Sequence, residues 1–224
     1  MCGRLTVRPN PHHVAGRFKY MNNPNFAPRY NVAPTQDIQV VREGEHGREL
    51  VNMRWGLVPR WSKDSKAGPL MINAKAETVE EKPAYREAFK KRRCLIVADG
   101  YYEWTAEGKT KQPWYITVKG VDVFGFAGLW ESWKPKGSND VPIQSSAIIT
   151  TTANEHLAFI HERMPVIFTT TEEYDAWLDP NASREELVEM LRPLPSDAVM
   201  AYKVGRAVNN WRHDAPDCVE PIDV

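Results

Sequence analysis

Seventeen prolines, spread through a chain of 224 residues, limit what it can fold into. Proline fixes φ and removes an N–H donor, so it interrupts helices and central strands. Many short elements with long connections are therefore expected. Between the breaks lie short runs rich in Ile, Val, Phe, Trp or Tyr, at 37–42, 50–55, 94–98, 114–119, 123–129, 146–151, 166–169 and 198–204, which read as strands. Helices are fewer. Residues 83–91 pair Tyr85 with Phe89 on one face, with Pro83 in the first turn. Capping patterns mark three more, at 154–160 after Thr152 with Glu155, 172–178 after Thr170 with Glu173, and 184–191 after Ser183 with Glu186. Strands and helices follow no βαβ rhythm. The expected class is α+β, a single domain over 1–224 with a barrel-like, mainly antiparallel β core and short flanking helices.

A hydrophobic fraction of 42% is enough to build a core for that plan. Lys and Arg total 29, as do Asp and Glu, so a non-specific coat on nucleic acid is disfavoured, while a local basic groove stays open. Three distant cysteines, Cys2, Cys94 and Cys218, suggest neither a disulfide framework nor a zinc site. No histidine pair has metal-ligand spacing, and neither a metal nor another cofactor is expected. No run approaches about 18 apolar residues, so no membrane span is expected. The expectation is a soluble, cytoplasmic monomer.

Four stretches could carry chemistry. The first is Met1-Cys2-Gly3-Arg4. Loss of Met1 would leave Cys2 with a free thiol and a free α-amine, groups that titrate near about 8.5 and about 8. Such a 1,2-aminothiol can condense with an aldehyde and close a thiazolidine, or its thiol can attack an acyl group. The second stretch places Asn73 in the apolar sequence Leu70-Met71-Ile72-Asn73-Ala74, where a buried amide must be hydrogen-bonded. It reads as a structural turn residue or as an orienting group for a nucleophile. The third sets Glu103 between Tyr102 and Trp104, where desolvation would raise a carboxyl toward general acid/base use; a rim glutamate with a cationic partner is the alternative. The fourth ends the helix at 154–160 with His161, whose imidazolium the helix dipole would favour, or which is a surface cap. His12, His13, His46 and His213 read as solvated loop residues. Trp55, Trp61 and Trp104 lie in loops or beside these polar signatures, interleaved with Arg4, Arg54, Arg60, Lys63, Lys66 and Lys75. Aromatics among cations can stack bases while holding phosphates, though core packing is an alternative, above all for Trp55. The basic cluster at 86–93 reads as a solvated helix face.

Taken in order, these signatures resemble the SRAP family (SOS-response-associated peptidase, also known for shielding abasic sites in DNA). The matching blocks are Met1-Cys2-Gly3-Arg4, Tyr30-Asn31-Val32-Ala33-Pro34-Thr35, Trp55-Gly56-Leu57-Val58-Pro59, Ile72-Asn73-Ala74-Lys75-Ala76-Glu77-Thr78, Ala98-Asp99-Gly100-Tyr101-Tyr102-Glu103-Trp104, Phe126-Ala127-Gly128-Leu129-Trp130 and His161-Glu162-Arg163-Met164-Pro165. The resemblance implies a barrel-like β core. It implies that Met1 is removed by the protein's own action, and that Cys2 then forms a thiazolidine crosslink with the ring-opened abasic site in single-stranded DNA. Crosslink reversal and AP-lyase activity are implied as further reactions. Carried onto this chain, Cys2 is the nucleophile, Asn73, Glu103 and His161 complete the catalytic site, and Arg4, Lys75, Trp104 and Trp61 are DNA-contact candidates. Lys75 stands where the family commonly has Arg, so a point charge replaces a bidentate fork.

Two other functions remain open on the residues alone. An N-terminal-nucleophile amidohydrolase, of the glutamine amidotransferase kind, would use Cys2 on an amide, with an Asn in an oxyanion hole. A non-catalytic single-stranded DNA-binding module would bind intact strands and be indifferent to Cys2.

Overall fold

The computed structural model describes residues 2–65 and 68–222. The elements in chain order are β1 (Leu5–Val7), α1 (Pro11–Phe18), β2 (Arg29–Val32), β3 (Asp37–Gly44), β4 (Gly47–Trp55), β5 (Asn73–Lys75), α2 (Arg86–Lys91), β6 (Arg93–Ala98), β7 (Gly100–Glu107), β8 (Thr110–Val118), β9 (Phe124–Trp133), β10 (Ile143–Thr152), β11 (Arg163–Pro165), β12 (Ile167–Phe168), α3 (Thr171–Leu178), α4 (Arg184–Glu189) and β13 (Val199–Lys203). The expected α+β class with a barrel-like core is what forms.

Five strands close on themselves. β4 pairs antiparallel with β3, β3 with β6, β6 with β9 and β9 with β10. The ring is completed by a parallel pairing, Ser145 and Ser146 of β10 against Arg54 and Trp55 of β4. Closure removes the free edges that an open sheet of such apolar strands would expose. These are the runs the sequence marks most clearly. β6 is buried along its whole length, and its Leu95, Ile96 and Val97 have no solvent exposure. A second antiparallel sheet, ordered β13-β8-β7-β1-β2, packs beside the barrel, and β5 and β11 extend β10 beyond the ring.

The second sheet is joined to the barrel at Asp99, the single residue between β6 and β7. Its buried carboxylate accepts from the Thr6 hydroxyl at 2.7 Å and from the Arg8 backbone at 3.1 Å, and it pairs with the Arg8 guanidinium. β1 is thereby fastened across the sheet junction, with Leu5 opposite Tyr101. Gly100 is obligatory here, since a Cβ on it would lie 2.0 Å from the Tyr115 hydroxyl.

Two expected helices form with full capping boxes. Thr170 and Glu173 cap α3 reciprocally, and Ser183 and Glu186 cap α4. Four expectations change. Residues 154–160 form successive turns rather than a helix, because Thr152 belongs to β10 and the Asn154 side chain caps Leu157 N at 3.0 Å. His12 and His13 lie on α1, started by Asn10 and Pro11, not in a loop. Residues 83–85 are turns, and the helix begins at Arg86. Within the basic cluster at 86–93, Arg93 is buried rather than solvated. Its guanidinium donates to the carbonyls of Phe89, Lys90, Trp177 and Asp179 and so satisfies the C-terminal ends of both α2 and α3.

Candidate active site

β1 carries the N-terminal segment into the crease between barrel and sheet. Its pairing continues upstream, as Tyr102 N donates to Arg4 O at 3.0 Å. Cys2 is therefore fully buried beside β7. β5 arrives from the other side, paired in parallel with Ile148–Thr150 of β10. From its first residue, Asn73 Nδ2 donates to the Cys2 carbonyl at 2.9 Å, while the Asn73 carbonyl accepts from the Tyr85 hydroxyl at 3.0 Å. The Asn73 Oδ1 is buried and finds no hydrogen-bond partner among the described residues.

Glu103 is buried at the third position of β7 beyond Gly100, and it interacts electrostatically with both Cys2 and His161. The four residues expected to form the catalytic site thus come together from β1's leading segment, β5, β7 and the turn before β11. Burial pushes the Cys2 thiol pKa well up; the Glu103 charge adds to the rise, and the Arg4 backbone N–H opposes it. Burial also raises the Glu103 carboxyl, with His161 and Lys111 pulling the other way. The helix that was to favour imidazolium at His161 is absent. Instead the Arg163 backbone donates to His161 Nδ1 at 2.9 Å, so the ring's own proton sits on Nε2.

Three neighbours went unassigned in the sequence. Arg163 grips both oxygens of Glu77 at 2.6 and 2.8 Å and reaches the Thr150 carbonyl at 2.6 Å. This fork ties the Asn73 block to the His161 block, and it holds the Glu77 carboxyl below its usual range. Both residues stand within the blocks that carry the family resemblance, but no spacing rule pairs residues 86 positions apart. Tyr101 is the third: its hydroxyl is buried without a hydrogen-bond partner among the described residues, within electrostatic reach of Cys2 and Glu103.

The DNA-contact candidates divide between surfaces. Trp104 lies mid-strand in β7, and strand alternation turns it to the face opposite Glu103. There it joins Arg4, Thr110, Lys111, Arg206 and Asn209 around a cavity of about 550 Å³. Arg4 stacks over its ring at 5.8 Å while donating to Asn31 and to the Val208 carbonyl, and the Trp104 Nε1 donates to Asn209 at 2.7 Å. Trp61 is 65% exposed and borders a separate cavity of about 330 Å³ with Arg54, Leu70 and Thr35. Thr35 holds a left-handed backbone, φ 74°, a strain of about 1–3 kcal/mol for a β-branched residue. Lys75 is exposed at the end of β5, whereas Trp55 is wholly buried core. Met1 and Lys66 lie outside the described residues.

The site can be set beside known proteins. A family model described as SOS response associated peptidase (SRAP) matches residues 1–211. The chain belongs to the SRAP family. Among its relatives, the abasic site processing protein YoqW of Bacillus subtilis (strain 168) is 40% identical over 226 residues, covering 98% of this chain and 99% of the relative. The abasic site processing protein HMCES of Gallus gallus is 29% identical, over 92% of this chain and 70% of its own length. The crystal structure of a protein from Bacteroides thetaiotaomicron shares the fold with a TM-score of 0.87, at 28% identity over 99% of this chain and 100% of that one.

Within this SRAP chain the C-terminal segment belongs to the site's support. Asn31 donates to the carbonyls of Val208, Asn210 and His213, and Asp214 accepts from the Tyr30 and Asn31 backbones. His213 is a loop residue as expected, half-exposed, but its carbonyl and ring are both engaged. It lies with Asp217 and Cys218 in a cluster whose ligand atoms fall within 4.8 Å, but the three satisfy one another. The His213 ring meets both Asp217 oxygens at 2.8 and 2.9 Å, and the Cys218 thiol donates to the His213 carbonyl. Among the described residues no helix is long and apolar enough to cross a membrane.

Proposed function

We propose that this SRAP protein processes abasic sites in single-stranded DNA by covalent capture, after its own removal of Met1 has made Cys2 the first residue. The observation that carries the reading is the convergence of Asn73 and Glu103 on a buried Cys2 whose thiol burial keeps protonated, with His161 set against Glu103. A protonated thiol leaves the α-amine as the leading nucleophile toward the abasic aldehyde.

The chemistry then follows with protons accounted for. The His161 Nε2–H donates to the deoxyribose ring oxygen and favours the open aldehyde. The Cys2 amine adds to C1′ to give a carbinolamine, held by Asn73. Protonated Glu103, available because its pKa is raised, gives its proton to the carbinolamine hydroxyl, which leaves as water. The Cys2 sulfur attacks the resulting iminium carbon, its thiol proton passes to the Glu103 carboxylate, and the thiazolidine closes. One water is lost overall and Glu103 ends as it began. The iminium also acidifies the C2′ proton, so β-elimination is a side reaction, and reversal retraces the same steps. The crosslink shields the strand, a role in DNA damage handling fitted to the SOS response.

Acyl transfer by Cys2 is disfavoured by the same observation. An amidohydrolase needs a thiol activated by a lowered pKa or an adjacent base, whereas burial pushes this one up. The discriminating experiment incubates the protein with a single-stranded abasic oligonucleotide and, separately, with glutamine. A denaturation-resistant band with the oligonucleotide, absent in Cys2→Ala, is the expected result. Ammonia release without a band, or a band that survives in Cys2→Ala, contradicts it. Binding to intact strands with neither band nor ammonia would mark a non-catalytic binding module.

A further inference from the structure

One row of side chains leads out of the site on the face of β7 opposite Trp104, and it meets the Trp104 cavity only at its far end, through Arg206. Directly opposed residues of antiparallel strands share a face. Glu103 of β7 stands opposite Trp114 of β8, and Trp114 stands opposite Lys203 of β13. Three strands therefore carry Glu103, Trp114 and Lys203 in line on one face. Two interstrand steps of about 4.8 Å make this row about 10 Å long.

Above the middle of the row sits Phe159, two residues before His161. Its ring meets Trp114 edge-on, with centroids 5.2 Å apart, yet it remains 60% exposed. The Trp114 indole is locked by Nε1 donating to Thr105 Oγ1 at 3.0 Å. The Lys203 ammonium lies 5.7 Å from the Trp114 ring centre. It shares Glu107 with Arg206, at 3.8 and 3.1 Å, so two cations face one carboxylate and a net positive charge remains at the far end. A fixed aromatic corner next to a reacting centre, ending in surplus positive charge, matches a nucleotide: an apolar base face and an anionic phosphate.

We propose that Phe159, Trp114 and Lys203 form a nucleotide subsite, which holds the base and phosphate next to the abasic residue and sets it against Cys2. The inference rests on the proposed capture of abasic single-stranded DNA. The three are positioning residues, since none touches the reacting carbon. The row's length of about 10 Å is enough for the base of the neighbouring nucleotide and the phosphate beyond it.

The test uses single-stranded oligonucleotides with a tetrahydrofuran abasic analogue, which lacks the aldehyde and so reports binding alone. One has ordinary bases on both sides; two others carry a second tetrahydrofuran immediately 5′ or 3′. Removing the base on one side should weaken wild-type binding, and Phe159→Ala should weaken binding to the fully based strand by about fivefold to tenfold. Phe159→Ala should cost nothing further on the strand that already lacks that neighbouring base. Lys203→Ala should flatten the salt dependence by about 0.7 in the log–log slope, one phosphate contact on a single strand. With a true abasic strand, Phe159→Ala should raise the strand concentration needed for half-maximal crosslinking by the same fivefold to tenfold. Equal loss by Phe159→Ala on all three strands, or none on any, overturns the subsite. If the wild type crosslinks abasic DNA but is indifferent to either neighbouring base, the subsite alone fails; if it does not crosslink at all, the reading it rests on fails too.

Discussion

The hydrogen bond from Asn73 to the Cys2 carbonyl offers a direct measure of how much the fold orients its nucleophile. Asn73→Ala removes the donor without disturbing β5, whose backbone pairs with β10 and whose residue-73 carbonyl still receives the Tyr85 hydroxyl. The Cys2 carbonyl lies beside a fully buried residue, and losing its side-chain donor costs about 1–3 kcal/mol. If that cost falls on the transition state, the crosslinking rate drops about 5- to 150-fold. If the ground state bears it, thermal stability drops instead, by about 2–4 °C for each kcal/mol in a domain this size. Single-turnover crosslinking at saturating abasic strand, read on denaturing gels beside melting curves, separates the two. Intact mass must first show that Met1 has left both proteins equally. Asn73→Asp keeps the shape but replaces the donor with an acceptor, and adds a charge near Glu103, so it should be slower than Asn73→Ala. Wild-type rates in Asn73→Ala would refute the orienting role, and a melting loss with no rate change would make Asn73 structural only.

Other outcomes follow from the same geometry. Glu103→Gln should slow crosslinking yet stabilise the fold as pH rises. A buried carboxyl with a raised pKa adds stability below its ordinary value of 4.5 and loses it as pH climbs through the folded value, a loss that Gln does not suffer. Melting temperatures of the two proteins from pH 4 to 8 should therefore diverge upward in favour of Gln, and parallel curves would count against a raised carboxyl. Arg163→Lys replaces the fork on Glu77 with a single contact and should slow crosslinking with little change in DNA affinity. Because Glu77 is held below its usual range, the stability this pair provides should persist at neutral pH and fade as acid brings the pH down through the lowered value; a pH titration of wild type against Arg163→Lys checks this. Arg93→Ala should destabilise by about 3 kcal/mol or more, since it orphans carbonyls at the ends of two helices, and chemical denaturation reads the loss.

The barrel was legible because its strands are made of what strands prefer. Val40, Ile96 and Ile148 lie in runs that need no outside help to be recognised. β7 was not, since Gly100-Tyr101-Tyr102-Glu103-Trp104-Thr105-Ala106-Glu107 mixes poor and good strand formers and gains its shape from β8 and β1. β1, β5 and β11 are three residues each, too short to show a period. The capping pattern at 154–160 misleads because Asn154, not Thr152, caps the first turn, and the turns do not continue as a helix. Cys2, Asn73, Glu103 and His161 were found through local setting and family order together. The faces they and Trp104 occupy could not be read, because alternation along β7 is visible only once β7 is known to be a strand. Arg93 and Arg163 look like surface charges in sequence, and only the fold shows which carbonyls and carboxylates they meet.

The central claim is that Cys2, as the first residue, joins itself to an abasic site with loss of one water. Intact mass spectrometry of the protein, before and after incubation with a single-stranded abasic oligonucleotide, tests it in one measurement. The account predicts a starting mass lacking Met1, then a new species equal to that mass plus the oligonucleotide minus one water, unchanged by a reductant for imines because the thiazolidine is already closed. A protein that retains Met1 and still forms the adduct, or an adduct carried by a residue other than Cys2, would contradict it.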